Sequence, residues 1–294
     1  MMVIFQNKII YMPSVPPFSR SERVDDYAAQ CRPVEWVERD LAAADGTALK
    51  LLEGSIVASA DSDVAEHVVV VYFQGNASSL PPRLPYLSTI LKRLARENQG
   101  RRKYTIVALS YRGYWKSKGR ASQAGIELDA EAALTWVQDR YDRGQTKIIV
   151  WGQSIGAGVA SVSLSNLLRN GQDNLRRFSG LILETPFVDL KTMLVALYPQ
   201  RFLPYRYLTP FLRSTWDTRT ALRRVGGSKP NLKVLILEAG NDEIVPPGQA
   251  ETLEGVCIEE QLEVDRKKVP GALHTEVMVK GQGQNYIVGF LRSS

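Results

Sequence analysis

The sequence predicts a single α/β domain, a mostly parallel sheet with helices on both faces. Three observations carry that reading. Five short runs are continuously apolar: HVVVVYFQG (67–75), YTIVALSYRG (104–113), KIIVWGQ (147–153), FSGLILETP (178–186) and LKVLILEAG (232–240). Unbroken Val, Ile and Leu, rather than alternation, suits strands covered on both faces. Longer helix-patterned stretches separate these runs, as the crossovers between parallel strands require. Ahead of them, PVEWVERDLAAADGTALKLLEGSIVAS (33–59) reads as two extended segments around Asp45-Gly46, a hairpin signal for an antiparallel pair.

In chain order, the first stretch is MMVIFQNKIIYMPSVPP, whose apolar pieces are broken by Gln6, Asn7 and Lys8. It lacks the apolar run of a secretory signal, and no stretch of the chain reaches the roughly 20 apolar residues that span a bilayer. The hairpin follows. The helical stretches are RLPYLSTILKRLAREN, GIELDAEAALTWVQDRY and IGAGVASVSLSNLLRN; in the second, Ala133, Trp136, Val137 and Tyr141 recur at helical spacing. With no internal repeat and no low-complexity linker, the expectation is one domain over 1–294, with an N-terminal extension 1–32 and a cap inserted at about 187–228.

Apolar residues make up 44% of the chain and charged residues 23%, the balance of a globular domain with a real core. The net charge of +6 is spread in short groups between acidic residues, without an aromatic reading surface, which argues against nucleic acid. Weak attraction to an anionic membrane surface stays open, and the expected location is the cytoplasm or the periphery of a membrane. Cys31 and Cys257 have no metal-ligand spacing; two free buried thiols are expected ahead of a disulfide between them, which is the alternative. No metal or cofactor is expected.

Chemistry enters at IIVWGQSIGAGVA (148–160), where Ser154 stands between Gly152 and Gly156. Gly-x-Ser-x-Gly alone is a weak signal. Placed after a buried strand and before a helix, it predicts a sharp turn that exposes the serine oxygen beside the helix N-terminus. A serine hydroxyl needs a base to act as a nucleophile. The chain has two histidines. His67 opens a strand, at the end away from such a site; His274, in VPGALHTEV, lies in a loop before the final helical stretch and is the expected base. Asp242, in LEAGNDEIVPP, is the expected acid, with its neighbour Glu243 pointing away and Glu184 as the rival from the preceding strand. Gly75 in YFQGNASS lets the chain turn so that the N–H of Asn76, together with that of Ile155, forms an oxyanion hole. The order Ser154, Asp242, His274 is that of the α/β-hydrolase triad.

These residues resemble the α/β-hydrolase superfamily, specifically the membrane-associated abhydrolase-domain proteins of eukaryotes and their fungal relatives. The likeness runs from about residue 33 to the C-terminus through QGNASSLPPRLP, SYRGYWKSKGRASQAGIELDAEAAL, GQSIGAG, FLPYRYLTPFL, NDEIVPP and the histidine loop. It implies the α/β-hydrolase fold and a serine hydrolase of esters or thioesters, with lysophospholipids or acylated proteins as the substrate class. The alternatives are a serine peptidase and a catalytically silent scaffold that binds lipid or protein. Three departures stand out: Gln74 replaces the family's histidine before the oxyanion glycine, Trp115 replaces a glycine, and the family's N-terminal membrane helix has no counterpart. Trp115 is expected to narrow or roof the pocket. In the cap, Tyr198, Phe202, Tyr205, Tyr207, Phe211 and Trp216 interleave with Arg201, Arg206 and Arg213. Phe202 and Phe211 are expected to line an acyl pocket.

Overall fold

Along strand β3 (Glu66–Phe73), Val68, Val70 and Tyr72 point into one layer of buried side chains, and Val69, Val71 and Phe73 into another. That two-sided burial is why the run shows no polar alternation. The computed structural model describes residues 6–8, 10–56, 66–97, 102–141, 146–169, 177–197 and 211–294. Within them, β1 (Val34–Ala42), β2 (Ala48–Ile56), β3, β4 (Arg102–Ser110), β5 (Thr146–Gln153), β6 (Phe178–Glu184), β7 (Lys233–Ala239) and β8 (Glu263–Val269) form one eight-stranded sheet in the order β1-β2-β4-β3-β5-β6-β7-β8. β1 and β2 pair antiparallel as the predicted hairpin, β2 joins β4 antiparallel, and every later pairing is parallel.

Helices α1 (Leu84–Glu97) and α7 (Gly281–Ser293) cover one face. The other is covered by α2 (Gln123–Arg140), α3 (Ile155–Arg169), α5 (Thr218–Ser228) and α6 (Gln249–Glu259), with the shorter α4 (Leu190–Leu197) after β6. Local chemistry starts two of them. Ser122 caps α2, its Oγ accepting from Gly125 N at 3.2 Å, and Asp217 caps α5 by accepting from Thr220 N at 2.9 Å. All of the parallel strands therefore deliver their carboxyl ends to one rim, where catalytic loops of such folds gather.

One strand lies outside the apolar runs, and one expectation is corrected. β8 is an eighth strand inside EVDRKKV, whose five charged residues hide it from a hydrophobic reading. The interval 187–228 is not all cap. Thr218–Ser228 is a flanking helix that buries Leu222 and Val225 in the main core, and Leu190 N and Thr218 N bond to Thr215 O and Val188 O, closing the insertion at its base.

Candidate active site

Ser154 is the single residue between β5 and α3, and it takes the left-handed conformation at φ 54°. A side chain pays for that conformation in steric strain, which the surroundings must hold. They hold it by close approach. A Cβ on Gly152 would lie 2.0 Å from Gly156 O, and one on Gly156 would lie 2.1 Å from Phe73 O. No other residue fits either place without moving the backbone of β3 or of the turn. Ser154 N donates to Glu184 O at 2.8 Å, which ties the turn to β6.

His274 arrives from the loop after β8 and is 5% exposed. Its Nε2 lies 2.8 Å from Ser154 Oγ, and its Nδ1 lies 3.0 Å from each oxygen of Asp242. Asp242 leaves the end of β7, and its Oδ1 also accepts from Ile244 N at 2.9 Å and Val245 N at 2.8 Å. Burial pushes this carboxyl up, but the His274 hydrogen bond and charge together with the two backbone donors outweigh it and hold Asp242 below the usual carboxylate range. With Asp242 ionised, Nδ1 carries the imidazole proton and Nε2 is left to accept from Ser154 Oγ.

Glu243 does not point away from this site. Its Oε2 accepts from His274 N at 2.9 Å and anchors the histidine loop, while Asn241 N donates to Ala272 O at 2.9 Å. The side chain of Glu184, the rival acid, bonds to groups other than His274. It is fully buried, accepting from Trp151 Nε1 (3.0 Å), Gln153 Nε2 (3.2 Å) and Met278 N (3.1 Å). Gln153 Oε1 in turn accepts from Arg83 Nη1 at 2.5 Å and Tyr72 OH at 3.3 Å. This network lies behind the turn that carries Ser154. Burial raises Glu184 to about 7, against the opposing pull of the Met278, Trp151 and Gln153 donors and the Arg83 charge.

The chain leaving β3 passes beside Ser154: a Cβ on Gly75 would lie 3.5 Å from Ser154 Cβ. Asn76 follows. Ile155 is the first residue of α3, where backbone N–H groups have no intrahelical acceptor. His67 stays at the far end of β3, with Nε2 2.9 Å from Thr105 Oγ1.

Of the expected pocket residues, Trp115 is enclosed in the core and Phe211 stands on the surface. Trp115 is 1% exposed; its indole donates to Glu22 O at 2.8 Å, and the ring packs in the core layer shared with α1. A ring so enclosed forms no wall of an open pocket, which corrects the expectation of a roof. Phe211 is 59% exposed, and Trp216 is buried against α3, its Cβ 2.9 Å from where a Cβ of Gly158 would stand. Phe202, with Tyr198, Tyr205, Tyr207, Arg201 and Arg206, lies outside the described residues.

Cys31 and Cys257 are buried free thiols, and burial next to Glu254 pushes Cys257 up to about 12, far from a reactive thiolate. Among the described residues, no cluster of three His, Cys, Asp or Glu side chains suits a metal ion, and no helix is long and apolar enough to cross a membrane.

No family model matches the chain. It is similar to protein bem46 of Schizosaccharomyces pombe, 34% identical over 188 residues, covering 64% of this chain and 56% of that protein. The α/β-hydrolase domain-containing protein WAV2 of Arabidopsis thaliana is 28% identical over 291 residues, covering 96% and 85%. A lysophosphatidylserine lipase of Danio rerio, ABHD12, is 31% identical over 188 residues, covering 62% and 45%. The match thus spans about half the length of the yeast and fish relatives. Among solved structures, an α/β hydrolase from Vibrio vulnificus superposes with a TM-score of 0.66 at 17% identity, over 98% of this chain and 90% of that one.

Proposed function

We propose that this chain, which belongs to the α/β-hydrolase superfamily, is a serine hydrolase that cleaves carboxylic esters or thioesters through an acyl-enzyme. The observation that carries the proposal is the unbroken relay from Asp242 through His274 to Ser154, at 3.0 and 2.8 Å, set on a left-handed turn. Ser154 Oγ bonds to the acyl carbon as its proton passes to His274 Nε2. The carbonyl oxygen takes up the charge within reach of the Asn76 and Ile155 N–H groups. As the bond to the leaving oxygen or sulfur breaks, His274 returns the proton to it, and the acyl group stays on Ser154. Water then attacks, giving a proton to His274; the acid departs and Ser154 regains its hydrogen. Asp242 stays ionised throughout and steadies the imidazolium.

The substrate class in this reading is a lipid-like ester, such as a lysophospholipid or an acylated protein. Support comes from the lysophosphatidylserine lipase among the relatives and from the aromatic composition of the insertion after β6. A fluorophosphonate probe should label the wild-type chain at Ser154 and leave Ser154→Ala unlabelled. The variant should lose roughly 10³-fold or more in kcat/KM on whichever of a p-nitrophenyl ester, an acyl-thioester or a lysophospholipid the wild type prefers. A folded wild-type chain that neither labels nor hydrolyses any of the three would return the reading to a silent scaffold.

A further inference from the structure

Asn76 has a second task besides its main-chain N–H. Its side-chain Nδ2 donates to Ile10 O at 2.5 Å, and Oδ1 accepts from Met12 N at 3.2 Å, Tyr114 OH at 2.8 Å and Ala77 N at 2.8 Å. Two residues on, Ser78 N donates to Val15 O at 2.5 Å. Between these bonds, Ala77 and Ser78 are both left-handed, at φ 60° and 59°. Two consecutive non-glycine residues in that region persist only where their surroundings enforce it. The segment that supplies these partners is tethered on its other side to the end of the insertion. Gln6 Oε1 accepts from Arg213 N at 2.7 Å, its Nε2 donates to Phe211 O at 3.2 Å, and the buried Tyr11 OH donates to Ser214 Oγ at 3.0 Å and accepts from Trp216 Nε1 at 2.9 Å.

We infer that residues 6–8 and 10–15 act as a strap that sets the shape of the oxyanion loop through the Asn76 side chain. Asn76 is therefore a positioning residue as well as a donor, and residues 211–216 are coupled to the oxyanion hole through the strap. The functional half of this inference rests on the serine-hydrolase reading above. An oxyanion hole acts on the charge that develops in the transition state and hardly on the bound ester, so displacing it lowers kcat and leaves KM alone.

The test uses the full chain, a water-soluble short-chain ester, and a trifluoromethyl ketone that forms a tetrahedral adduct on serine. Asn76→Ala should lower kcat roughly 10- to 100-fold, with KM changed by less than about twofold, and ketone affinity should fall by the same factor as kcat. Asn76→Asp, which keeps the acceptor for Met12, Ala77 and Tyr114, should recover part of the loss. Tyr11→Phe should lose roughly two- to fivefold in the same pattern, and should add little on top of Asn76→Ala because both act through one link. An unchanged kcat in Asn76→Ala, or a loss seen in KM alone, would overturn the inference; should Asn76→Ala fail to fold, Tyr11→Phe decides by the same criterion. Hydrogen exchange gives an arm independent of activity: Asn76→Ala should speed exchange at Met12 and Ser78 together. Coupled exchange in a chain without hydrolytic activity would keep the strap and sink the serine-hydrolase reading instead. Unchanged exchange would sink the strap.

Discussion

Asp242 and Glu184 leave the carboxyl ends of neighbouring strands, β7 and β6, and either position can reach a histidine in folds of this kind. Here the two have been pulled apart. Asp242 faces the imidazole and two backbone donors and is held below the ordinary carboxylate range, while Glu184 is sealed behind the Ser154 turn and raised to about 7. Both carboxyls accept several hydrogen bonds; what separates them is partial burial with a facing His274 in one case and complete enclosure in the other. In the proposed mechanism, the charge that turnover requires is thus placed where the site can keep it ionised. Glu184, by contrast, joins β5, β6 and the histidine loop through Trp151, Gln153 and Met278 N.

The largest expected effect breaks that division outright. Asp242→Asn should cost about 10⁴ in kcat, because an amide facing Nδ1 no longer selects the working tautomer. Steady-state kinetics check it, and a loss below about tenfold would move the acid role elsewhere. Glu184→Gln should lower kcat by no more than about tenfold, since it supports the turn without touching the imidazole; a loss as large as that of Asp242→Asn would erase the distinction.

A sharper contrast lies in stability. Glu184 titrates at about 7 in the folded chain against an ordinary 4.5, so the native state binds the extra proton between those values. Its stabilising contribution is fully present below about 4.5 and is lost as pH rises through about 7. Glu184→Gln carries no such titration. Urea midpoints from about pH 5 to pH 8 should therefore fall less steeply with pH in the variant than in the wild type, and parallel slopes would contradict the raised value. The smallest effect belongs to the neighbour of the acid. Glu243→Gln keeps an acceptor for His274 N, so kcat should fall by less than about threefold, whereas Glu243→Ala should lose more.

Most of the parallel sheet was legible because its strands are buried on both faces and so write themselves as unbroken apolar runs. The grouping of Ser154, His274 and Asp242 was legible for a different reason: with two histidines in the chain, and one of them at the far end of β3, few candidates could stand beside Ser154. Glu243 was misread because a carboxylate that binds backbone looks in sequence like any turn acid. Trp115 was misread because the groups it bonds to, Glu22 O and the Arg20 guanidinium, lie far away in sequence. The strap left no trace at all. Its contacts to the oxyanion loop are made largely by the main chain of Ile10, Met12 and Val15, and a carbonyl or N–H group is the same in every residue.

The polarity that concealed β8 has a use of its own. An outermost strand offers a row of unpaired backbone groups on which another chain can build, and β8 holds that position with β7 as its one neighbour in the sheet. Along it stand Glu263, Asp265, Arg266, Lys267 and Lys268, with Arg266 drawn back onto Glu254 at 2.6 Å and Lys267 onto Asp265 at 2.8 Å. A second strand approaching this edge would have to strip water from those charges before gaining any ladder bond. The sequence feature that makes the strand hard to recognise also makes it hard to extend, which guards this side of the sheet against aggregation by edge pairing.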